Sequence, residues 1–252
     1  MRRKKIQYGD HPSNYGHLYL PDVAPTDCVP LVVLVHGGYW STEYTLVVYT
    51  SVALDLARRG VAVWNIEYRR VEEDGGGWPG TGRDVVAAIG ALDGPVAEQL
   101  AIAGIEVDRH HTAVVGHSAG GQLAVWATAR LGAAAGGFTI ATVVAQSAVL
   151  DFTVGAADRP SVRALMGAAY DEAPDRYAAA SPACQEPFDA LVAAVHTVDD
   201  QSVPIEMSRH YVEVAGARGQ RVALYEVPTG GHDAFVDPRS AAHRQTLRVL
   251  GI

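Results

Sequence analysis

The chain has 252 residues, of which 48% are hydrophobic and 19% are charged, a balance typical of a globular protein. Its formal net charge of −8 argues against a nucleic acid as partner. The length fits one domain better than two, and we therefore predict a single domain over residues 1–252.

Targeting and metal-binding patterns give little signal in this chain. The basic residues 2–5 are not followed by the apolar stretch of a signal peptide, and no apolar run approaches the length of a membrane span. Cys28 and Cys184 are far apart and lack metal-ligand spacing, which favours free thiols in a reducing compartment. We predict a cytoplasmic protein with no metal, no cofactor and no membrane partner, and we leave a homodimer open.

Apolar runs alternate with helix-like segments along the chain. A hairpin around 17–21 is followed by predicted strands at 31–35, 61–66, 111–115, 140–145, 190–196 and 222–227, and by helices at 46–59, 84–92, 122–129, 205–215 and 240–250. Such alternation predicts an α/β fold with a mostly parallel sheet covered by helices on both faces. Residues 151–187 interrupt it, and we interpret them as a small cap-like excursion over the active site.

The most informative motif is Gly-His-Ser-Ala-Gly-Gly at residues 116–121, between a predicted strand and a predicted helix. A Gly-x-Ser-x-Gly turn in this context is typical of the nucleophile elbow of serine hydrolases, in which small residues let the backbone turn sharply. The serine hydroxyl then stands near a helix N-terminus, where a developing negative charge is stabilised. Ser118 is the predicted nucleophile.

A serine nucleophile needs a histidine base and an acid that orients it, in the chain order Ser, Asp or Glu, His. Asp199 and Asp200 follow the predicted strand at 190–196, and His232 lies in a glycine-rich loop after the strand at 222–227. Each residue alone has an ordinary interpretation, a helix cap for the aspartate and a solvated side chain for the histidine. The ordered set, each after its own strand, predicts a catalytic triad.

Acyl transfer also needs N–H donors for the oxyanion. One predicted donor is the backbone amide of Ala119, directly after the nucleophile. The segment His-Gly-Gly-Tyr-Trp at 36–40 is a variant of the His-Gly-Gly-Gly oxyanion motif and follows a buried strand. The amides of Gly38 and Tyr39 are therefore the other predicted donors, and His36 is expected to brace the loop.

Two side chains are predicted to bind substrate. Trp40 ends the oxyanion segment and could line an acyl or aryl pocket, with core packing as the alternative interpretation. His117 directly precedes the nucleophile.

With these residues the chain resembles the α/β-hydrolase superfamily, and most of all its small esterase/lipase-like branch with a His-Gly-Gly-Tyr-Trp oxyanion loop, which includes kynurenine formamidase and many bacterial α/β hydrolases. The resemblance covers nearly the whole chain. It implies acylation of Ser118 by an ester, amide or formamide, then hydrolysis by water that His232 activates. The family spacing Asp-x-x-Val-Pro favours Asp200 over Asp199 as the acid of the triad.

The leading prediction is a serine hydrolase that cleaves small, uncharged or modestly polar carboxylic esters, with a small-molecule acyl substrate as its partner. Arylformamidase is the first alternative. Against it, Gly121 departs from the elbow expected of a formamidase, and Arg69, Arg70 or Arg163 would have to turn inward to bind the substrate carboxylate. A small-peptide hydrolase, an acyltransferase and a non-catalytic ligand-binding protein on the same fold are further alternatives.

Overall fold

The computed structural model describes residues 2–22 and 28–252. Within these ranges the chain forms eleven strands and eight α-helices, numbered here in chain order. They are β1 (Arg2–Gln7), β2 (Tyr15–Leu20), β3 (Cys28–Val29), β4 (Leu31–Val35), α1 (Thr50–Arg58), β5 (Ala62–Ile66), α2 (Gly80–Gly90), α3 (Pro95–Ala103), β6 (Glu106–Val107), β7 (Thr112–His117), α4 (Ala119–Leu131), β8 (Ala134–Ala135), β9 (Phe138–Gln146), α5 (Pro160–Met166), α6 (Pro174–Ala180), β10 (Leu191–Thr197), α7 (Glu206–Ala217), β11 (Val222–Val227) and α8 (Ala241–Leu250).

The central sheet has the strand order β1-β2-β5-β4-β7-β9-β10-β11, and β8 pairs with β9 beside this path. The strands from β5 to β11 in this order pair in parallel. The hairpin β1-β2 adds an antiparallel edge through β2 and β5, as the sequence predicted. The carboxyl ends of the parallel strands therefore share one edge of the sheet, which is where ligand sites form in such folds.

Helices cover both faces of this sheet, as predicted. The core on one face includes residues of α1 and α8, and the core on the other includes residues of α2, α3, α4 and α7. Strands β4, β5 and β7 are buried along their whole length, which explains why they appear in the sequence as continuous apolar runs rather than as alternating patterns.

Helix boundaries differ most from the prediction. The helix expected at 46–59 begins as a 3-10 helix over Leu46–Tyr49, where the Thr45 side chain accepts a hydrogen bond from the Val47 amide, and continues as α1. Helix α3 was not predicted, although Pro95 at its start and Gly104 at its end are usual boundary signals. The apolar residues of α3 do not follow a clear helical period in the sequence, since apolar Ile102 lies on the solvent side and is 76% exposed.

By length and composition alone, the described stretch Gly80–Ala103 is long and apolar enough to cross a membrane. The sequence analysis expected no run of this length. One such stretch is weak evidence, because core helices meet the same criterion. Here a 3-10 turn over Ala91–Asp93 and a non-helical Gly94, with φ −148° and ψ −113°, separate α2 from α3.

The excursion predicted at 151–187 contains α5, α6 and a 3-10 helix over Pro182–Cys184. Its apolar side chains Phe152, Val162 and Leu165 belong to the same core as the central sheet. The two cysteines are free thiols, as expected.

Candidate active site

Ser118 lies in a sharp turn between β7 and α4, with φ 53° and ψ −118°. The turn is possible because the residues two positions before and after Ser118, Gly116 and Gly120, have no side chain. A Cβ on Gly116 would lie 2.2 Å from the Gly120 carbonyl oxygen, and one on Gly120 would lie 2.1 Å from the Val35 carbonyl oxygen. A strained serine between a strand and a helix is the geometry of a nucleophile elbow, and it holds the hydroxyl at the carboxyl edge of the sheet.

His232 and Asp200 are in direct contact. The imidazole Nδ1 donates to the Asp200 carboxylate at Oδ2 over 2.8 Å. The other carboxylate oxygen accepts from the amides of Ser202 and Val203, each at 2.8 Å. Burial by itself would raise the pKa of Asp200, but these bonds from His232 and Val203 hold it well below its ordinary value. The carboxylate is therefore anionic and fixed in orientation.

Asp199 makes different contacts from those of Asp200. Its carboxylate accepts from the amides of Gly230, at 3.1 Å, and Gly231, at 2.8 Å. Those two amides lower the pKa of Asp199, which is exposed. Asp199 thus holds the backbone of the His232 loop, while Asp200 contacts the ring itself. The Thr197 hydroxyl makes a third hydrogen bond to this loop by donating to the Gly231 carbonyl over 3.0 Å.

Ser118 and His232 line the same cavity of about 340 Å³ at the edge of the sheet. Within the described chain no hydrogen bond joins the serine hydroxyl to the imidazole. Such bonds are often long in the absence of substrate. The arrangement therefore brings together all three residues predicted for the triad, with His232 bonded to Asp200.

Gly37, Gly38 and Tyr39 of the predicted oxyanion segment, residues 36–40, line this cavity beside Ser118. Gly38, Tyr39 and Trp40 all have positive φ, at 117°, 57° and 57°. A Cβ on Gly38 would lie 2.2 Å from the Cβ of Tyr44, so glycine is required there. Among the described residues, the amides of Gly38 and Tyr39 donate to no protein acceptor, and Ala119 is the first residue of α4, where helix amides are unpaired.

His36 braces this segment, as the sequence predicted. Its Nε2 lies 2.7 Å from Glu67 Oε1, and the Tyr68 hydroxyl donates to the His36 carbonyl over 2.7 Å. Burial opposes ionisation of Glu67, but His36, Arg70 and the Leu46 amide together lower its pKa. This buried network fixes the backbone that presents the candidate oxyanion donors.

The two predicted substrate-binding side chains occupy different positions. Trp40 is only 1% exposed, donates its indole N–H to Gln122, and packs edge-on against Phe152. It reaches the site along the wall of a narrow slot beside Ser118. His117 lines the larger cavity, and its Nε2–H donates to the His232 carbonyl over 2.9 Å. Burial and the neighbouring His232 lower the pKa of His117 to about 3, so it is neutral.

Several polar side chains reach the site without having been predicted from the sequence. They include Tyr44 and Asp233 on the larger cavity, Arg159 on the narrow slot, and Ser202 on both. Because they come from separate loops, no local spacing pattern marks them. Among the described residues, no group of three or more His, Cys, Asp or Glu side chains is placed so that it could hold a metal ion.

The sheet order, the turn at Ser118 and the position of His232 after β11 define an α/β-hydrolase fold. The family model BD-FAE matches residues 17–214, which is most of the chain. The chain belongs to the BD-FAE family.

Individual proteins are also similar to this chain. Esterase LipC of Mycobacterium tuberculosis (strain ATCC 25618 / H37Rv) is 26% identical over 250 residues, covering 92% of this chain and 60% of LipC. The chain thus spans less than two thirds of that relative. A truncated carbohydrate esterase from gut microbiota has a TM-score of 0.81 at 20% identity, over 100% of this chain and 95% of that one. Butyrate-bound Est2 of the planctomycete Thermogutta terrifontis has a TM-score of 0.72 at 21% identity, over 98% and 91%. Both structures share the fold.

Proposed function

We propose that this protein hydrolyses small carboxylic esters through an acyl-enzyme on Ser118. The observation that carries the proposal is the bond from His232 Nδ1 to Asp200, made by a histidine that faces the same cavity as a serine in an elbow turn. A histidine that donates from Nδ1 to a carboxylate has its Nε2 lone pair free to accept a proton.

In the proposed mechanism, His232 Nε2 takes the proton of the Ser118 hydroxyl as the oxygen attacks the ester carbonyl. The amide of Ala119, with that of Gly38 or Tyr39, stabilises the oxyanion, and each such donor is worth about 3–4 kcal/mol of barrier. Asp200 stabilises the imidazolium that forms. The proton then passes to the leaving alcohol, and His232 activates a water that hydrolyses the acyl-enzyme.

The size of the narrow slot favours a substrate with a small acyl group. It adjoins Ser118 and Ala119, is walled by Val149, Val162 and Val203, and has a free volume of about 10 Å³. That is space for roughly one water molecule. The larger cavity, which includes Tyr39 and Tyr44, has room for a bulkier leaving alcohol.

Ester hydrolysis is favoured over formamide hydrolysis. LipC and the two similar structures are described as esterases. Two of the cations that a formamidase would turn inward are already paired, Arg69 with Asp84 at 2.7 Å and Arg70 with Glu73 at 2.8 Å. No contact at the site specifically favours a formamide.

The test is hydrolysis of 4-nitrophenyl acetate, butyrate and octanoate, with N-formylkynurenine assayed in parallel. We expect the short esters to be turned over fastest, and Ser118→Ala to abolish both turnover and labelling by a fluorophosphonate. The matched control is Ser51→Ala, since Ser51 is an exposed serine of α1. Ester turnover that survives in Ser118→Ala, or rapid formamide turnover with negligible ester turnover, would overturn the proposal.

A further inference from the structure

Arg159 is a cation beside the candidate nucleophile. It directly precedes α5 in the excursion, is half-buried, and lines the narrow slot together with Ser118 and His232. Its Nη1 donates to the Ser202 carbonyl over 2.7 Å. Because Ser202 belongs to the loop whose amides bind Asp200, this bond keeps the guanidinium at the slot.

This guanidinium has no acidic partner in the part of the chain that the structure describes. Arg69 and Arg70 are neutralised by carboxylates, as described above, whereas Arg159 makes its one side-chain bond to a neutral carbonyl. Arginine carries five N–H donors in a planar fork that matches a carboxylate, and most of those of Arg159 remain unused. A half-buried cation that lines the same slot as Ser118 and has no acidic partner among the described residues can bind an anionic group of a substrate.

The charges around the site are asymmetric. Arg159 lies on the narrow slot, whereas Asp233 lies on the larger cavity. Asp200 is already bonded to His232, and His117 is neutral. A negative group on the substrate is therefore attracted towards the slot and repelled from the larger cavity.

We propose that Arg159 is a specificity-determining residue that selects esters whose acyl part carries a compact carboxylate, such as half-esters of short dicarboxylic acids. Since the slot itself has room for about one water molecule, the carboxylate would lie at its mouth, against the guanidinium. The inference rests on the proposed esterase function and changes its substrate class, since the sequence predicted uncharged or modestly polar acyl groups. The bond to Ser202 holds the guanidinium in place before the substrate arrives, which lowers the entropy lost on binding.

The test compares mono-4-nitrophenyl fumarate with its neutral methyl ester. The trans double bond prevents the free carboxylate from attacking its own ester, so the two substrates differ mainly in charge. We expect Arg159→Gln to lower the ratio of kcat/KM for the anionic ester over the neutral one by about tenfold. Arg159→Lys should retain part of the preference, and 0.5 M salt, at about a 4 Å screening length, should reduce it in the wild type.

The matched control is Arg176→Gln. Arg176 belongs to α6 of the same excursion and also donates to a backbone carbonyl, that of Met166 over 2.6 Å, but it lines neither cavity at Ser118. Its loss should leave the ratio unchanged. Because both esters use the same triad, a displaced Asp200 loop would slow both and leave the ratio as it was. An unchanged ratio in Arg159→Gln overturns this inference alone, whereas no turnover of either ester overturns the esterase function with it.

Discussion

Because Asp199 and Asp200 are adjacent, the proposed triad can be tested by replacing one carboxylate oxygen with an amide nitrogen at each position in turn. In Asp200→Asn, the oxygen that accepts from the Ser202 and Val203 amides must remain an acceptor. The asparagine carbonyl therefore takes that position, and its NH₂ group takes the position 2.8 Å from His232 Nδ1. The new amide donates to Nδ1, which forces the imidazole proton onto Nε2.

An imidazole protonated at Nε2 cannot accept the proton of Ser118. We therefore expect kcat to fall by about 10⁴-fold, which corresponds to roughly 5.5 kcal/mol of barrier. Asp199→Asn makes the same chemical change one residue earlier. There the side chain is exposed and binds only loop amides, of which the asparagine oxygen can still accept one. We expect kcat to change by no more than about threefold.

The assay is initial-rate hydrolysis of 4-nitrophenyl acetate by the wild type and both variants, with circular dichroism to establish that each is folded. The reasoning is refuted if folded Asp200→Asn keeps kcat within about tenfold of the wild type. A collapse confined to Asp199→Asn would mean that Asp199 is the acid and that its bonds to Gly230 and Gly231 are replaced during catalysis.

Two further predictions concern stability. His117 has a folded-state pKa of about 3, below the ordinary histidine value of about 6.5, so the unfolded chain binds its proton first and stability falls as pH drops through this window by about 1.4 kcal/mol per unit. The glutamine of His117→Gln can still donate to the His232 carbonyl but does not titrate. Between about pH 7 and 4.5, the free energy of unfolding measured in urea should therefore fall by about 3 kcal/mol less in this variant than in the wild type. Equal decreases in the two proteins would contradict this prediction. Gly120→Ala places a Cβ 2.1 Å from the Val35 carbonyl and should destabilise by about 1–3 kcal/mol, whereas Gly90→Ala in α2 meets no atom within 4 Å and should not lower Tm. Equal Tm values for the two glycine variants would show that the elbow can relax.

The sheet and the elbow could be predicted because their signals are local. Continuous apolar runs mark buried parallel strands, and glycines around Ser118 mark a turn that admits no Cβ. The division of labour between Asp199 and Asp200 could not be derived from local pattern, because both follow the same strand. It depends on which side of the His232 loop each carboxylate faces, and that is set by the tertiary structure.

Arg159 could not be predicted for a similar reason. Its contact with Ser202 spans 43 residues and joins the excursion to the loop after β10. Arg159 stands in no recognised motif, and Ser202 occupies a variable position of the Asp-x-x-Val-Pro segment. The single domain, the cytoplasmic location and the absence of membrane and nucleic-acid partners stay predictions, and the homodimer stays open.

The loop that carries His232 combines a flexible composition with several restraints. Gly230 and Gly231 would give a free chain wide conformational freedom, yet Asp199 and Thr197 bind their backbone and His117 binds the carbonyl of His232. The entropy of ordering this loop is therefore lost once, when the protein folds, rather than in each turnover. In hydrogen exchange, the two glycine amides would behave like those of regular secondary structure, and motions that admit substrate or release product would have to arise elsewhere around the cleft.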